Sequence, residues 1–425
     1  MKYIEIIRSK WNETSQDQIH TALVNTFCFY MLFFSFGRIF IQIGQIGSII
    51  LLAAYYAKGF NTTNLSKFGG KKFFAIFFAY LILNVVLSQW PATSIRAISS
   101  NWWKAFLIPF IAMELVTSER DLKKLIMAFA GAGFLQGLDG IWQSISGFDL
   151  IHGTAIYEDR LTGSMKTPRV GNYMAIILPA AFGICYIAKQ QGPKWGKLVC
   201  CALLTPAVFL WIFSLTRSGY AGVAIALFTL WAFVWPPFRL YKLALPVAGV
   251  VSLIILGPSR ISFERLMQNP RWEIWSFSLK IFEEFPIFGA GLKTYAPARD
   301  MLGLKQVVAS AEIPHPHNMY LQFLSDGGII GFTICMLFLF GLLYYAFAII
   351  RPNIKYEIQE QSSAYYWRYT ALFWGSYLAY LGTGISAHDF FRPWWLAIGM
   401  AMLGITLGAC TAGASKAAPR TSFTS

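Results

Sequence analysis

Two of the chain's five histidines lie together in the segment AEIPHPHNMYLQFLSDGG, residues 311–328. The proline between them suits the first position of a helix, so the pattern predicts a helix over 317–325 that places His317 and Asn318 in its first turn. The positive end of a helix disfavours a protonated imidazole, and we therefore expect His317 to stay neutral. A neutral imidazole can accept a proton, which is what a general base does.

The same histidines have a simpler interpretation, as ordinary hydrogen-bonding residues at a membrane surface. Position alone does not make a base, and this simpler interpretation is stronger for His315 than for His317. The sequence leaves open whether His315 assists His317 or only caps the helix.

Arginines supply the second chemical pattern. Arg217 lies in a connection of a few residues between two apolar runs (WIFSLTRSGYAG), and Arg265 and Arg271 lie in the longest polar connection of the chain. Arg160 lies in the segment EDRLTGSMKTPR. The planar guanidinium group suits phosphate and diphosphate oxygens, so these four residues are candidate phosphate binders. Capping of helices or contact with lipid headgroups is the alternative role.

Metal and cofactor chemistry is not predicted. The acidic residues near these arginines form no DxD pair, which a magnesium-assisted phosphate site would favour. We therefore expect arginine in place of Mg²⁺, with no metal and no cofactor. A GAG sequence at 289–291 follows no predicted strand and makes a poor nucleotide loop.

The composition shows what must position these residues. Of 425 residues, 56% are hydrophobic and only 13% are charged, which is typical of an integral membrane protein. The apolar runs predict an all-α fold with about twelve transmembrane helices. The predicted spans are 21–37, 39–57, 73–89, 103–118, 122–144, 171–188, 198–215, 219–235, 241–257, 329–350, 364–383 and 391–410. The six cysteines lie within apolar runs without metal-type spacing, so we interpret them as packing residues.

Charge predicts the orientation. The net charge of +15 is distributed between apolar runs, where it reflects membrane topology and contact with membrane lipids, and no nucleic-acid partner is expected. Lys and Arg are more frequent in the connections that share a side with both termini, so both termini are predicted to be cytoplasmic. Residues 1–425 then form one polytopic membrane domain, with a long outer loop at 258–316 between spans 9 and 10 and a flexible cytoplasmic tail at 411–425. No cleaved signal peptide is expected.

The long outer loop is expected to contain short helices. Its segment RWEIWSFSLKIFEEF, from Arg271 to Phe285, mixes apolar and charged residues and then breaks at Pro286 and Gly289. This pattern predicts a short amphipathic helix on the membrane surface that ends at the FPIFGAG turn.

The sequence resembles the O-antigen ligase and polymerase superfamily of bacterial envelope enzymes. Four segments carry the resemblance, in chain order: DRLTGSMKTPRVGNYMAIILPAA, SLTRSGYAG, RWEIW followed by FPIFGAGLKTY, and HPHNMYLQFLSDGGIIGF. It extends from about Arg160 to Leu343. The histidine-asparagine motif and the arginine motif are moderately specific together and weak apart.

The resemblance implies a membrane glycosyltransferase that moves a glycan from undecaprenyl diphosphate to the lipid A-core oligosaccharide. Transfer would take place on the periplasmic face of the bacterial inner membrane, with inversion and without metal. His317 corresponds to the histidine that activates the acceptor hydroxyl, and Arg217 and Arg271 correspond to the arginines that hold the diphosphate. Arg265 could take the part of Arg271, and Arg160 is a further candidate. Asn318 and His315 would have supporting roles.

Two alternatives stay open. A polymerase of the same superfamily would pass the chain to a second carrier-linked repeat and would need the same arginines and base. A lipid or sugar transporter could also have about twelve spans, although the sequence contains neither a repeated half nor matching Gly- or Pro-broken spans.

Overall fold

The computed structural model describes residues 11–191, 195–234, 271–305, 313–360 and 364–417. The described chain is helical, with two isolated bridges at Phe148–Ala155 and Tyr157–Arg160 and no strand. Its helices are α1 (Gln16–Leu32), α2 (Arg38–Gly59), α3 (Asn64–Lys67), α4 (Lys71–Leu87), α5 (Pro91–Ser99), α6 (Ile108–Glu114), α7 (Glu119–Ser146), α8 (Val170–Ala181), α9 (Ile184–Gln191), α10 (Trp195–Phe213), α11 (Arg217–Thr229), α12 (Arg271–Glu284), α13 (Tyr295–Met301), α14 (Met319–Gln359), α15 (Tyr366–Thr383) and α16 (Pro393–Ala417). Short 3₁₀ segments occupy Phe60–Thr62 and Gly163–Met165, and π-helical turns occupy Trp102–Phe106 and Leu230–Val234.

Five of the described helical stretches are long and apolar enough to cross a membrane. They are Arg38–Thr62, Glu119–Ser146, Val170–Gln190, Met319–Gln359 and Pro393–Ser415. The predicted helical membrane fold is confirmed at this level. The count of twelve spans stays a prediction, and the ninth predicted span lies outside the described residues.

The bundle has an apolar outer surface and a buried centre. On α2, Ile39, Ile43, Ile46 and Ile50 recur at helical spacing and are between 47% and 64% exposed, as expected for a face in contact with lipid. The most apolar stretch of α16 is wholly buried, and Trp395 in its first turn packs on Tyr380 with ring centroids 4.2 Å apart. The last two helices therefore form the centre of the bundle.

Glycines bring three helix ends together. Gly219 of α11 lies so close to α8 that a Cβ there would come within 2.6 Å of the Gly171 carbonyl oxygen. One turn later, a Cβ on Gly222 would come within 2.8 Å of the Ala379 carbonyl oxygen of α15. Small residues allow helix backbones to approach this closely. As a result, the first turns of α8 and α11 lie beside the last turn of α15.

Helix α14 is interrupted at Gly328, where the backbone adopts φ +60° and ψ −162°. The segment 286–291, which lies within the FPIFGAG turn, pairs with the interrupted backbone. The amides of Ala290 and Gly291 donate to the carbonyls of Ser325 and Asp326, at 3.0 and 2.9 Å. On the other side of the break, the amides of Ile329 and Ile330 donate to the carbonyls of Pro286 and Ile287, at 2.9 and 3.2 Å. These bonds satisfy backbone groups that a helix end leaves without partners.

The start of α14 differs from the helix start predicted from the sequence. Helix α14 begins at Met319, with Asn318 as its N-cap, whereas the sequence predicted His317 and Asn318 in the first turn. The Asn318 side chain accepts hydrogen bonds from the amides of Tyr320 and Leu321, at 2.9 and 3.1 Å. Asparagine is a strong N-cap residue, so it takes this position in preference to a helix start at the proline.

The predicted helix in the long connection is confirmed as α12, which ends just before the FPIFGAG turn. Its buried face, formed by Ile274, Phe277 and Ile281, packs in a small separate cluster with Tyr295 and Ala298 of α13. The placement of α12 on a membrane surface stays a prediction.

Substituting Gly328 tests the helix break. A Cβ at this position would lie 2.5 Å from the carbonyl of Ile287 and would also require a left-handed backbone, which costs about 1–2 kcal/mol without glycine. We expect Gly328→Ala to lower the unfolding temperature of the detergent-solubilised protein. Gly153→Ala is the matched control, because its φ is +65° but a Cβ there meets nothing within 4 Å. Equal unfolding temperatures for the two variants would contradict the packing role of Gly328.

Candidate active site

His317 lies in a strained turn just before α14, with φ +52°. Its ring Nδ1 lies 2.9 Å from the carbonyl oxygen of Ala387. Since a carbonyl oxygen can only accept, Nδ1 carries the proton in the neutral ring. Nε2 then has a lone pair for an incoming proton.

Neighbouring elements fix the position of this turn. The indole Nε1 of Trp275 in α12 donates to the carbonyl oxygen of Pro316 at 3.0 Å. The amide of Met319 donates to the carbonyl oxygen of Gly384 at 2.9 Å. The turn is therefore held between α12 and the connection 384–392, which links α15 to α16.

His315 packs against His317. The ring centroids are 4.1 Å apart, and the amide of His317 donates to Nδ1 of His315 at 3.3 Å. Burial, followed by the nearby positive charges, lowers the pKa of His315 to about 3. His315 therefore stays neutral and serves as an acceptor for the His317 backbone.

The pKa of His317 is also lowered. Burial is the main cause, and the positive charges of Arg271, Arg392 and Arg169 act in the same direction, against the hydrogen bond to Ala387. The neutral state that the sequence predicted thus results from burial and surrounding arginines. A helix dipole is not the main cause, because His317 lies before the helix start.

Arg217 and Arg271 border one pocket of about 280 Å³. Arg217 is the first residue of α11 and Arg271 is the first residue of α12. Burial and the charge of Arg217 lower the pKa of Arg271, and an Arg271 Nη1 donates a short hydrogen bond to Ser386. The lining residues are Arg217, Ser218, Ala221, Arg271, Trp272, Trp275, Gly382, Ile385 and Ser386. Two cations and an apolar wall suit an anion attached to an apolar chain.

Arg160 lies beside this pocket in a different role. Its Nε donates to the carbonyl oxygen of Ser214 at 3.0 Å, and its Nη2 donates to Oγ1 of Thr216 at 3.2 Å. Arg160 therefore supports the turn that precedes Arg217. The fourth predicted arginine, Arg265, lies outside the described residues.

A buried polar network connects the long outer connection to the 384–392 connection. The Asp326 carboxylate accepts from the amide of Lys293 at 2.7 Å and from Nε2 of Gln322 at 3.2 Å. Gln322 Nε2 also donates to Asp389 at 2.8 Å, and Lys293 Nζ lies 3.5 Å from the other Asp389 oxygen. Gln322 in turn accepts from the amide of Phe390 at 2.8 Å. The network fixes the connection that supplies the carbonyl partner of His317.

The structure adds site residues that the sequence did not assign: Arg169, Lys293, His388, Asp389 and Arg392. Arg169 directly precedes α8, and Arg392 directly precedes α16. A lone cation at the end of a span resembles an ordinary topological charge. The available signal was position, since Arg169, Lys293, His388 and Asp389 lie in connections predicted to share the outer face. Arg392 lies at the start of the predicted span 391–410.

Within the described ranges, no group of three His, Cys, Asp or Glu side chains could hold a metal ion.

Comparison with known families identifies part of the chain. No curated protein matches the chain. Residues 201–336 match the family described as O-antigen ligase, and this range includes Arg217, Arg271, His315, His317 and Asn318. The resemblance predicted from the sequence is thereby confirmed over residues 201–336.

Proposed function

We propose that the protein transfers a glycan from undecaprenyl diphosphate to the lipid A-core oligosaccharide on the periplasmic face of the bacterial inner membrane. The match of residues 201–336 to the O-antigen ligase family supports a membrane enzyme of O-antigen processing that acts on lipid-linked polysaccharide. The observation that carries the proposal is the state of His317. Its Nδ1 is fixed on the Ala387 carbonyl, its ring is neutral, and it lies beside the two-arginine pocket.

The reaction is a single displacement. The acceptor hydroxyl oxygen attacks the anomeric carbon while Nε2 of His317 takes the hydroxyl proton. The bond between the anomeric carbon and the diphosphate oxygen breaks, and the electron pair leaves with undecaprenyl diphosphate. Attack from the side opposite to the leaving group inverts the anomeric centre.

The arginines act on the leaving group. Negative charge on the bridging diphosphate oxygen grows in the transition state, and the guanidinium groups of Arg217 and Arg271 stabilise it. The apolar part of the pocket, which includes Trp272 and Trp275, would receive the first isoprene units of the carrier. Arg160 acts indirectly by holding the Arg217 turn, and Arg265 remains a further candidate from the sequence.

The proposed periplasmic location is supported by which connections meet. The elements around His317 are the connections near 160–170, 214–217, 271–293 and 384–392. Each was assigned to the same outer side from the alternation of spans and the distribution of Lys and Arg. Their convergence supports one active face, with both termini on the opposite, cytoplasmic side.

A reconstituted assay tests the reaction. The purified protein receives undecaprenyl-diphosphate glycan with EDTA and without nucleotide, and lipid A-core is either added or omitted. We expect glycan on lipid A-core only when that acceptor is present. Longer carrier-linked chains without it would identify a polymerase instead, and glycan movement across vesicles without any transfer would favour a transporter.

Replacing His317 tests the base. Because a positioned general base contributes about 10²- to 10⁴-fold to rate, His317→Ala should lower kcat by that factor and leave the affinity for the donor nearly unchanged. His152→Ala is the matched control, since His152 is an exposed histidine in another outer connection. Full activity of a folded His317→Ala protein would contradict the assignment.

The pH profile tests the state of His317. The neutral ring is the active form, so kcat/KM should fall as the pH drops through the pKa of His317 in the free enzyme. Since that pKa is lowered from 6.5, the fall should lie below pH 6.5. The groups that lower it are the buried surroundings, Arg271, Arg392 and Arg169, and the group that opposes them is the Ala387 carbonyl.

Arg271→Gln provides the control for this profile. Removal of one positive neighbour favours the protonated imidazole, so the acid limb should move to higher pH in the variant. An acid limb at or above pH 6.5 in the unmodified protein, or no displacement in Arg271→Gln, would contradict the assignment.

A further inference from the structure

Arg169 and Arg392 form a second arginine pair beside His317. Both side chains are partly buried, and neither guanidinium group makes a hydrogen bond or an ion pair with a described residue. Burial lowers the pKa of each, and Arg392 lowers that of Arg169 further. Two partly desolvated cations that act on each other are mutually repulsive, so an anion bound by both would stabilise the arrangement.

His388 lies near the same pair, since both arginines act on it. It is only 4% exposed, and neither of its ring nitrogens has a hydrogen-bond partner among the described residues. Its ring contacts Trp394 and Trp395, with centroids 5.1 and 6.0 Å away. Burial, Arg392 and Arg169 hold its pKa well below the usual value. A neutral buried imidazole still has one N–H to donate, and leaving that donor without an acceptor is unfavourable.

Asp389, three residues before Arg392, does not neutralise this group. The Asp389 side chain accepts from Gln322 at 2.8 Å and from the amide of Phe391 at 2.9 Å, and its other oxygen faces Lys293 at 3.5 Å. It raises the pKa of Arg392 without forming an ion pair with it. Asp389 is thus occupied in the network that fixes the 384–392 connection.

The two arginine pairs are separate in their contacts. Arg271 bonds to Ser386 and lies near Arg217, whereas Arg169 lies near Arg392. His317 is close to both pairs, since Arg271, Arg392 and Arg169 all act on it. A transferase binds a donor and an acceptor next to each other, with the acceptor hydroxyl at the base. The diphosphate of the proposed donor binds to Arg217 and Arg271.

We propose that Arg169, Arg392 and His388 form a second anion subsite, which binds a phosphate group of the acceptor substrate and so places the acceptor hydroxyl at His317. The inference rests on the proposed function and names the chemistry of the acceptor. The phosphate can come from two sources, a phosphorylated sugar of the lipid A-core or the diphosphate of a second carrier-linked glycan. These side chains are positioning residues, because none of them touches the reacting atoms.

The test separates the donor from the acceptor in the reconstituted assay. Arg169→Gln and Arg392→Gln should raise the KM for the acceptor about 10- to 100-fold, as expected for loss of a charge-assisted hydrogen bond, and leave the donor KM nearly unchanged. Arg217→Gln should show the reverse pattern. Arg96→Gln is the matched control, as an exposed arginine in another outer connection. Arg392→Lys, which keeps the charge, should restore part of the acceptor affinity.

Two acceptors identify the source of the phosphate. Lipid A-core is supplied in its native form or after phosphatase treatment, and carrier-linked glycan is supplied as the second acceptor. If the core phosphate is bound, treatment raises the acceptor KM of the unmodified protein, and the Arg169→Gln and Arg392→Gln effects disappear on the treated acceptor. If the effects appear only with carrier-linked glycan, the second diphosphate is the ligand.

Other results overturn the inference. A rise in donor KM in Arg169→Gln and Arg392→Gln would place both arginine pairs on one diphosphate, and unchanged constants for both substrates would remove the subsite. If the unmodified protein transfers nothing, the proposed function fails, and the subsite is then tested by direct calorimetric binding of each acceptor. Equal binding to the unmodified protein and to both variants would overturn it. Because Arg169 and Arg392 repel each other, Arg169→Gln and Arg392→Gln should not lower the unfolding temperature of the protein. An unchanged unfolding temperature distinguishes a change in KM from misfolding of the variant.

Discussion

The interruption of α14 at Gly328 is the constraint on which the active face depends. An apolar helix cannot be broken without exposing backbone donors and acceptors, and the segment 286–291 satisfies them from both sides of the break. The buried Asn84 side chain also bonds to the break. Its Nδ2 donates to the carbonyl oxygens of Phe288 and Asp326, both at 3.1 Å. Because the inserted segment directly follows α12, the break fixes α12 as well.

The same constraint extends to His317, the proposed base. Asp326 at the break binds the amide of Lys293, and Gln322 one turn earlier binds Asp389 and Phe390. These bonds hold the 384–392 connection, which presents the Ala387 carbonyl to His317. The tautomer of His317 therefore depends on the carbonyl of Ala387, 70 residues away in sequence. A site supported in this way keeps its geometry without substrate, as preorganised catalysis requires.

Much of the architecture could be predicted from the sequence, and the reasons are local. Apolar runs of bilayer length predict helices, and the alternation of spans predicted that the connections near Arg160, Arg217, Arg271 and His317 share a face. The start of α14 was predicted wrongly, because two local signals compete there and the Asn318 cap prevails over the proline. Arg392 and His388 could not be assigned, since Arg169 and His317, which lie near them in the structure, are distant in sequence. The role of Arg160 likewise depends on carbonyl and hydroxyl groups 54 and 56 residues away.

The arginines around His317 have a consequence for the proposed reaction. In the free enzyme, burial and three arginines hold the imidazole neutral and make it a weak base. A diphosphate bound at Arg217 and Arg271 would offset part of that positive field, and a phosphate at Arg169 and Arg392 would offset more. Each bound anion therefore raises the basicity of His317 toward the pH at which a general base works best. Full base strength would then coincide with the presence of both substrates, because the two bound anions would act on the same imidazole.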